Sequence, residues 1–247
     1  MTEPHLDASK SAYGEQSWFY DENVAMLNWY AQRVVRTCRA KSHRSVLSLG
    51  IGHQAVPKAI LAELGTTLAR YVIVEGSQQI IEGFRSQVTL PARTELVHSL
   101  FEEYQPAEPF DAIEMGFVLE HVQDPDALVR RYSQFVNPGG SIFIAVPNAR
   151  SLHRLVGHAA GLLDNLYQLS TEDLRLGHRR YFDFESLSKL VLNAGLTTVC
   201  LEGILLKPLT FGQLKSLSLP AAVMEGFLTV GVAYPTICNA IFIEATP

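Results

Sequence analysis

The sequence predicts an α/β domain, a mostly parallel sheet with helices on both faces. Three observations carry this reading. Short apolar runs alternate with segments of helical periodicity over most of the chain, the pattern of strands joined by helical crossovers. The glycine turn Gly50-Ile51-Gly52-His53-Gln54 follows directly on the apolar run that ends at Leu49. The next apolar run, Tyr71-Val72-Ile73-Val74, closes on Glu75. A glycine turn after a buried strand brings main chain close to a ligand, and an acid at the end of the neighbouring strand can accept hydrogen bonds from both hydroxyls of a ribose. The turn by itself marks only a tight strand-to-loop connection. With Glu75 it points to a nucleoside site.

Each element follows in order. Val24, Leu27, Ala31, Val34, Val35 and Cys38 recur at helical spacing and predict an amphipathic first helix, joined through the basic stretch Arg39 to Arg44 to strand one at Ser45–Leu49. Val56, Ile60, Leu61 and Leu64 predict a helix entered near Pro57 and stopped by Gly65. Strand two spans Tyr71–Glu75. Ser77 then suits the N-cap of a helix carrying Ile80, Ile81 and Phe84, and Thr94–His98 reads as a short third strand. Strand four covers Phe110–Met115, and Asp124 with Pro125 signals the start of a helix whose core side holds Leu128, Tyr132 and Phe135. Asn137-Pro138-Gly139-Gly140 reads as the turn ending that helix, before a fifth strand, Ser141–Val146, apolar enough to be buried on both faces.

From Pro147 to Tyr181 the regularity breaks into a polar, aromatic and basic insertion, read as a lid. A helix over Phe184–Ala194, a sixth strand around Thr197–Leu206, a partly helical stretch over Phe211–Phe227 and a terminal strand over Thr236–Glu244 complete the chain. The division expected is a helical cap at 1–44 and a core at 45–247, with the lid inserted at about 147–182.

The 247 residues suffice to bury a substantial core without disulfides. Cys38, Cys200 and Cys238 are odd in number and widely spaced, so reduced thiols and a cytoplasmic location are expected. The first residues lack the apolar centre of a secretion signal, and no segment offers about 18 consecutive apolar residues to span a membrane. A net charge of −5 without a basic run makes nucleic acid a poor partner. Leu205–Leu219 and the last strand are candidates for a homodimer contact, although apolar content does not separate interface from core.

The motif Phe110-Asp111-Ala112-Ile113-Glu114-Met115-Gly116-Phe117-Val118-Leu119-Glu120-His121-Val122-Gln123-Asp124-Pro125, together with Asn137-Pro138-Gly139-Gly140, resembles the fourth strand and following turns of class I S-adenosylmethionine-dependent methyltransferases. It is most similar to bacterial small-molecule enzymes with a lid after strand five. The resemblance implies a Rossmann-like seven-stranded sheet with an antiparallel last strand and the methyl donor, S-adenosylmethionine, lying across the carboxyl ends of the first strands. It assigns Gly50 and Gly52 to close approach of the methionine part, Glu75 to the ribose with support from Ser77, and Ser99, Leu100 and Phe101 to the adenine. Met115 and Gly116 would offer main-chain groups near the amino acid end and the sulfonium. Two positions depart from the family pattern: Ser48 stands where an acid is usual, and His53-Gln54 where small residues are common.

Methyl transfer is an in-line displacement from a positively charged sulfur, leaving S-adenosylhomocysteine, and no metal is required for it. A hydroxyl acceptor additionally needs a base, a role that suits histidine. His121 follows strand four and reads either as that base or as a cap. His178, in Leu176-Gly177-His178-Arg179-Arg180-Tyr181, resembles a recurring lid segment and is the other candidate. Arg179, Arg180 and Tyr181 are candidates for binding an anionic or polyhydroxylated acceptor, or belong to a solvated turn. Asn148 and His153 open the lid on the ligand side, Asn148 alternatively as a helix cap. Tyr20, with Trp18, Phe19, Trp29 and Tyr30, either closes over ligand or joins the core. Glu120 is a candidate partner for a lid arginine. The function expected is methylation of a small polar acceptor, a sugar or a secondary-metabolite intermediate, with oxygen preferred. Ser48 keeps a non-catalytic scaffold in view. A nicotinamide-dependent oxidoreductase shares the turn and the acid but would carry a third glycine where Ala55 stands.

Overall fold

The computed structural model describes residues 20–247. Trp18 and Phe19 lie outside the described residues, and Tyr20 enters only as the first residue of a helix. That helix, α1 (Tyr20–Ala40), is followed by β1 (Ser45–Leu49), α2 (Ala55–Leu64), β2 (Arg70–Glu75), α3 (Gln78–Gln87), β3 (Thr94–His98), β4 (Phe110–Gly116), α4 (Pro125–Ser133) and β5 (Val136–Pro147). Then come α5 (Leu152–Ala159), α6 (Thr171–Leu176), α7 (Phe184–Asn193), β6 (Thr197–Ile204), α8 (Phe211–Ser216), α9 (Ala221–Gly231) and β7 (Ala240–Thr246). No helix among the described residues is long and apolar enough to cross a membrane.

The strands form one seven-stranded sheet in the order β3-β2-β1-β4-β5-β7-β6. The first five are mutually parallel, and β7 runs antiparallel to both β5 and β6. The two-residue repeat of the strands sends alternate side chains to two cores. Leu47, Leu49, Ile113, Met115, Ile142 and Ile144 meet α4 and α7 on one face. Val46, Ala112, Phe143 and Ala145 meet α1, α2 and α3 on the other. Because the chain steps outward from β1 to β3 and then returns to β4, β1 and β4 border a switch point. A crevice opens there beyond the carboxyl ends of the strands.

The caps behave as the sequence implies. Ser77 accepts from the Ile80 amide, and Asp124, with Pro125 behind it, accepts from Ala127 at 2.9 Å. Asn137-Pro138-Gly139-Gly140 is a correction: it belongs to β5 rather than to a turn before it. Asn137 donates to Asp111 at 2.8 Å, Gly139 takes φ +78°, and the register slips between Phe110 and Ala112, so the glycines form an irregular strand entry. The terminal strand starts at Ala240, four residues late, because Thr236–Asn239 is drawn into a turn by bonds from Ile237 and Cys238 to the Tyr234 carbonyl.

Candidate active site

A cleft of about 920 Å³ lies at the switch point, between the carboxyl ends of β1, β2 and β4 and the insertion after β5. Its first wall is the glycine turn. Gly50 takes φ +91° and donates its amide to Val74, and a Cβ there would stand 3.7 Å from the Phe101 ring. Glu75 closes β2 beside it, 8% exposed. One carboxylate oxygen accepts from Ile51 N and the other from Ser77 N, each at 2.9 Å, so the acid braces the turn it borders. Burial raises its pKa, against these donors. The floor is Gly116, where any Cβ would collide with the Tyr30 ring beneath it.

The resemblance's donor-side residues divide. Gly50, Gly52, Glu75, Phe101 and Gly116 line the cleft. Ser77 caps α3, Ser99 turns its hydroxyl to the Leu100 carbonyl at 3.0 Å, and Met115 is fully buried on the opposite core face. Trp29 packs edge-on to Phe242 under Arg33, and Tyr30 is buried below the floor, so both belong to the core.

The far wall is the insertion, pinned at both ends. Asn148 pairs with Phe182 as an isolated bridge, and its amide donates to the Thr236 and Cys238 carbonyls at 3.2 and 2.9 Å while accepting from Arg150 N. It is a fastening as well as a lining residue. α6 begins in a capping box in which Ser170 and Asp173 bond reciprocally. Asp173 is the hub that sequence reasoning missed: beyond the cap it bonds His178 Nδ1 at 3.0 Å and accepts the Tyr181 hydroxyl at 3.0 Å. Although burial opposes it, bonds from His178 and Ser170 hold its carboxyl at about 2. The Ser170-x-x-Asp173 box was the one visible signal for it.

Arg179 lines the cleft, and the guanidinium groups of both Arg179 and Arg180 bond main-chain carbonyls. Arg179 donates from its main chain to the Glu120 carbonyl and from Nε to the His121 carbonyl, each at 2.8 Å, leaving the Glu120 carboxylate unpaired with it, contrary to the expected ion pair. Arg180 donates to the Val122 and Gln123 carbonyls at 2.6 and 3.0 Å and faces a separate hollow with Asp124 and Lys189. Both strap the insertion to the turn after β4.

This strap brings His121 and His178 together, with ring centroids 4.8 Å apart. Burial, with His178 beside it, pushes His121 down to about 3, a neutral imidazole. Glu120 lies next to them, buried, one carboxyl oxygen without a partner, and burial pushes it up to about 7. Ligand atoms of Glu120, His121 and His178 fall within 4.8 Å of one another, close enough to hold a metal ion. The remaining wall holds His153, pushed by burial to about 3, and a buried ion pair of Lys207 with Glu22 that Asn239 joins at 2.7 Å. Neither partner of that pair carried a motif in the sequence.

Comparison with known proteins agrees with this geometry. A model of the methyltransferase domain family matches residues 22–201. The chain is 26% identical over 196 residues to the ubiquinone biosynthesis O-methyltransferase of Pseudomonas fluorescens Pf-5, covering 77% of this chain and 78% of that one. Among solved structures it is similar to the plantazolicin methyltransferase BpumL (TM-score 0.62, 13% identity, 98% and 90% covered). It also matches the N-methyltransferase NodS of Bradyrhizobium japonicum WM9 (TM-score 0.59, 11% identity, 98% of each chain covered). With a switch-point cleft walled by Gly50, Glu75 and Gly116, and a family match over most of its length, the chain belongs to the methyltransferase domain family, as a class I S-adenosylmethionine-dependent methyltransferase.

Proposed function

We propose that the protein methylates a hydroxyl oxygen of a small polar acceptor enclosed between the glycine turn and the lid. The observation that carries this is the Asp173–His178 pair at the cleft wall. The bond from His178 Nδ1 to the carboxylate leaves Nε2 as the ring atom free to take a proton. The donor fits the opposite wall, since Gly50 and Gly52 present main chain without side chains to the cleft, Gly116 floors it above the Tyr30 ring, and Glu75 keeps lone pairs for a ribose. S-adenosylmethionine, when bound, supplies a methyl group on a sulfonium. His178 accepts the acceptor's hydroxyl proton, Asp173 stabilises the imidazolium that forms, and the strapped lid keeps water from the site. His153, Asn239 and the Glu22–Lys207 pair offer the polar contacts for an acceptor. The O-methyltransferase named among its relatives supports oxygen as the acceptor atom.

A second reading of the same wall has a specific observation behind it. The partnerless Glu120 oxygen beside two imidazoles, one already oriented by a carboxylate, is how a divalent cation site is commonly built. A cation there would lower the acceptor hydroxyl's pKa in place of a general base.

The test is a screen of hydroxylated acceptors with labelled donor, with and without chelator and added magnesium or zinc. His178→Gln should lower turnover by about two to four orders of magnitude with donor affinity unchanged. Activity indifferent to chelator favours the histidine base, and activity lost to chelator and restored by metal favours the cation. A protein that S-adenosylhomocysteine does not stabilise thermally is a scaffold, and the proposal falls.

A further inference from the structure

The acid that the family places near the end of β1 is replaced here by Ser48, which is fully buried and hydrogen-bonded to the Tyr71 hydroxyl at 2.9 Å. On the adjacent strand, Glu114 is the residue in register with Ser48, so the two side chains leave the same face of the sheet side by side. Glu114 is 2% exposed and lines the cleft between Gly50 and Gly116. Its Oε2 accepts from the Tyr30 hydroxyl at 3.1 Å and from the Gly116 amide at 3.2 Å, and the Ser48 hydroxyl bonds it too.

What surrounds this carboxylate matters as much as what touches it. From α1 come Tyr30 and Cys38, from β1 Ser48, and from β2 Tyr71. Every one is neutral near pH 7, since burial raises both tyrosines well above their usual value and pushes Cys38 up to about 12. Among the described residues, no lysine, arginine or histidine enters the interactions that set its charge. A carboxylate held at the edge of a binding cleft by neutral donors alone carries a desolvation cost that a ligand's positive charge would offset. Burial accordingly pushes it up to about 7.

We propose that Glu114 replaces the missing β1 acid and receives the α-ammonium group of the methyl donor, the carboxylate having moved one strand across the sheet. The inference rests on the reading of the cleft as a donor site. It assigns Tyr30 a positioning role, because its hydroxyl orients Glu114 while its ring supports Gly116. It also makes donor affinity dependent on pH. The ammonium pairs with the ionised carboxylate, so affinity holds above the pKa of the free protein's Glu114, near 7, and falls as pH drops through it.

Calorimetric titration with two probes tests this. S-adenosylhomocysteine carries the ammonium, and 5′-methylthioadenosine has the same nucleoside without the amino acid. Glu114→Gln keeps the shape and should weaken the first by roughly 10- to 100-fold, the range of a charge-assisted bond, while moving the second by less than about threefold. Ser48→Asp added to Glu114→Gln should restore part of the loss. In the wild-type protein, affinity for S-adenosylhomocysteine alone should fall up to about tenfold per pH unit between about pH 7 and 5.5, and Glu114→Gln should flatten that profile. Equal losses for both probes, or none for either, overturn the proposal. If Glu114→Gln does not fold, a wild-type pH profile identical for the two probes overturns it equally. Binding of neither probe by the wild-type protein would instead refute the donor site itself.

Discussion

Replacing Asp173 by Asn separates a catalytic pair from a structural one. In the native arrangement the carboxylate accepts from Ser170 N at 2.7 Å, from the Tyr181 hydroxyl and from His178 Nδ1–H. Asparagine keeps one acceptor and can still close the capping box, but facing His178 with its amide would make Nδ1 the acceptor and put the ring proton on Nε2, the atom needed as base. The three charge-assisted bonds become neutral or are lost, each worth up to about 1.5–3 kcal/mol. Because asparagine refills part of each contact, a net loss of about 2 kcal/mol is expected, a fall of roughly 4–8 °C in Tm for a chain of this size. Turnover should fall by about two to four orders of magnitude, while affinity for S-adenosylhomocysteine stays within about threefold, since Glu75 and Gly50 are untouched. Thermal melting, calorimetry and single-turnover methyl transfer give the three readouts. A variant that melts lower yet turns over at the wild-type rate, with chemistry rate-limiting, would show the Asp173–His178 bond to be structural only.

Glu75→Ala should weaken S-adenosylhomocysteine by about 1.5–3 kcal/mol in calorimetry, through lost ribose bonds and a loosened glycine turn. Unchanged affinity would remove Glu75 from the donor site. Gly116→Ala forces a methyl into the Tyr30 ring and should cost about 1–3 kcal/mol in chemical denaturation. A neutral result would mean the floor yields. Lys207→Met strands the buried Glu22 carboxylate and should cost about 3–5 kcal/mol, more than Glu22→Gln with Lys207→Met together. Asp111 accepts from the Arg44 and Ser45 amides and from Asn137, which lower its pKa despite burial. Its folded-state pKa being depressed, the stability it contributes is present above its unfolded pKa of about 3.9 and is lost as pH falls through the lower folded value. Urea midpoints of Asp111→Asn and wild type should therefore converge in acid. A gap that persists at low pH would contradict this.

The architecture was legible because it is written locally. The ends of β1 and β3, the Ser77 and Asp124 caps and the alternation of β and α depend on neighbours a few residues apart, where side-chain period and capping chemistry decide the outcome. The first wall of the cleft was legible for the same reason, since Gly50 follows the end of β1 and Glu75 ends the neighbouring β2. Asn137-Pro138-Gly139-Gly140 misled because its composition is that of a turn, whereas Asp111 and the β4 ladder hold it as an irregular strand.

What the sequence determined alone is therefore the alternation of strands and helices in a mostly parallel sheet and the place of the crevice. The rest was decided by contacts between residues far apart in the chain. Arg179 and Arg180, which resemble acceptor ligands in composition, were drawn to the carbonyls of residues 120–123, and that attachment set His178 beside His121. Glu114 reads as one residue of an apolar strand until register lays it against Ser48 and folding buries both. Charge, protonation and ligand capacity depend on desolvation and on which donors lie within 3 Å or so, and those quantities exist only once the chain has closed on itself.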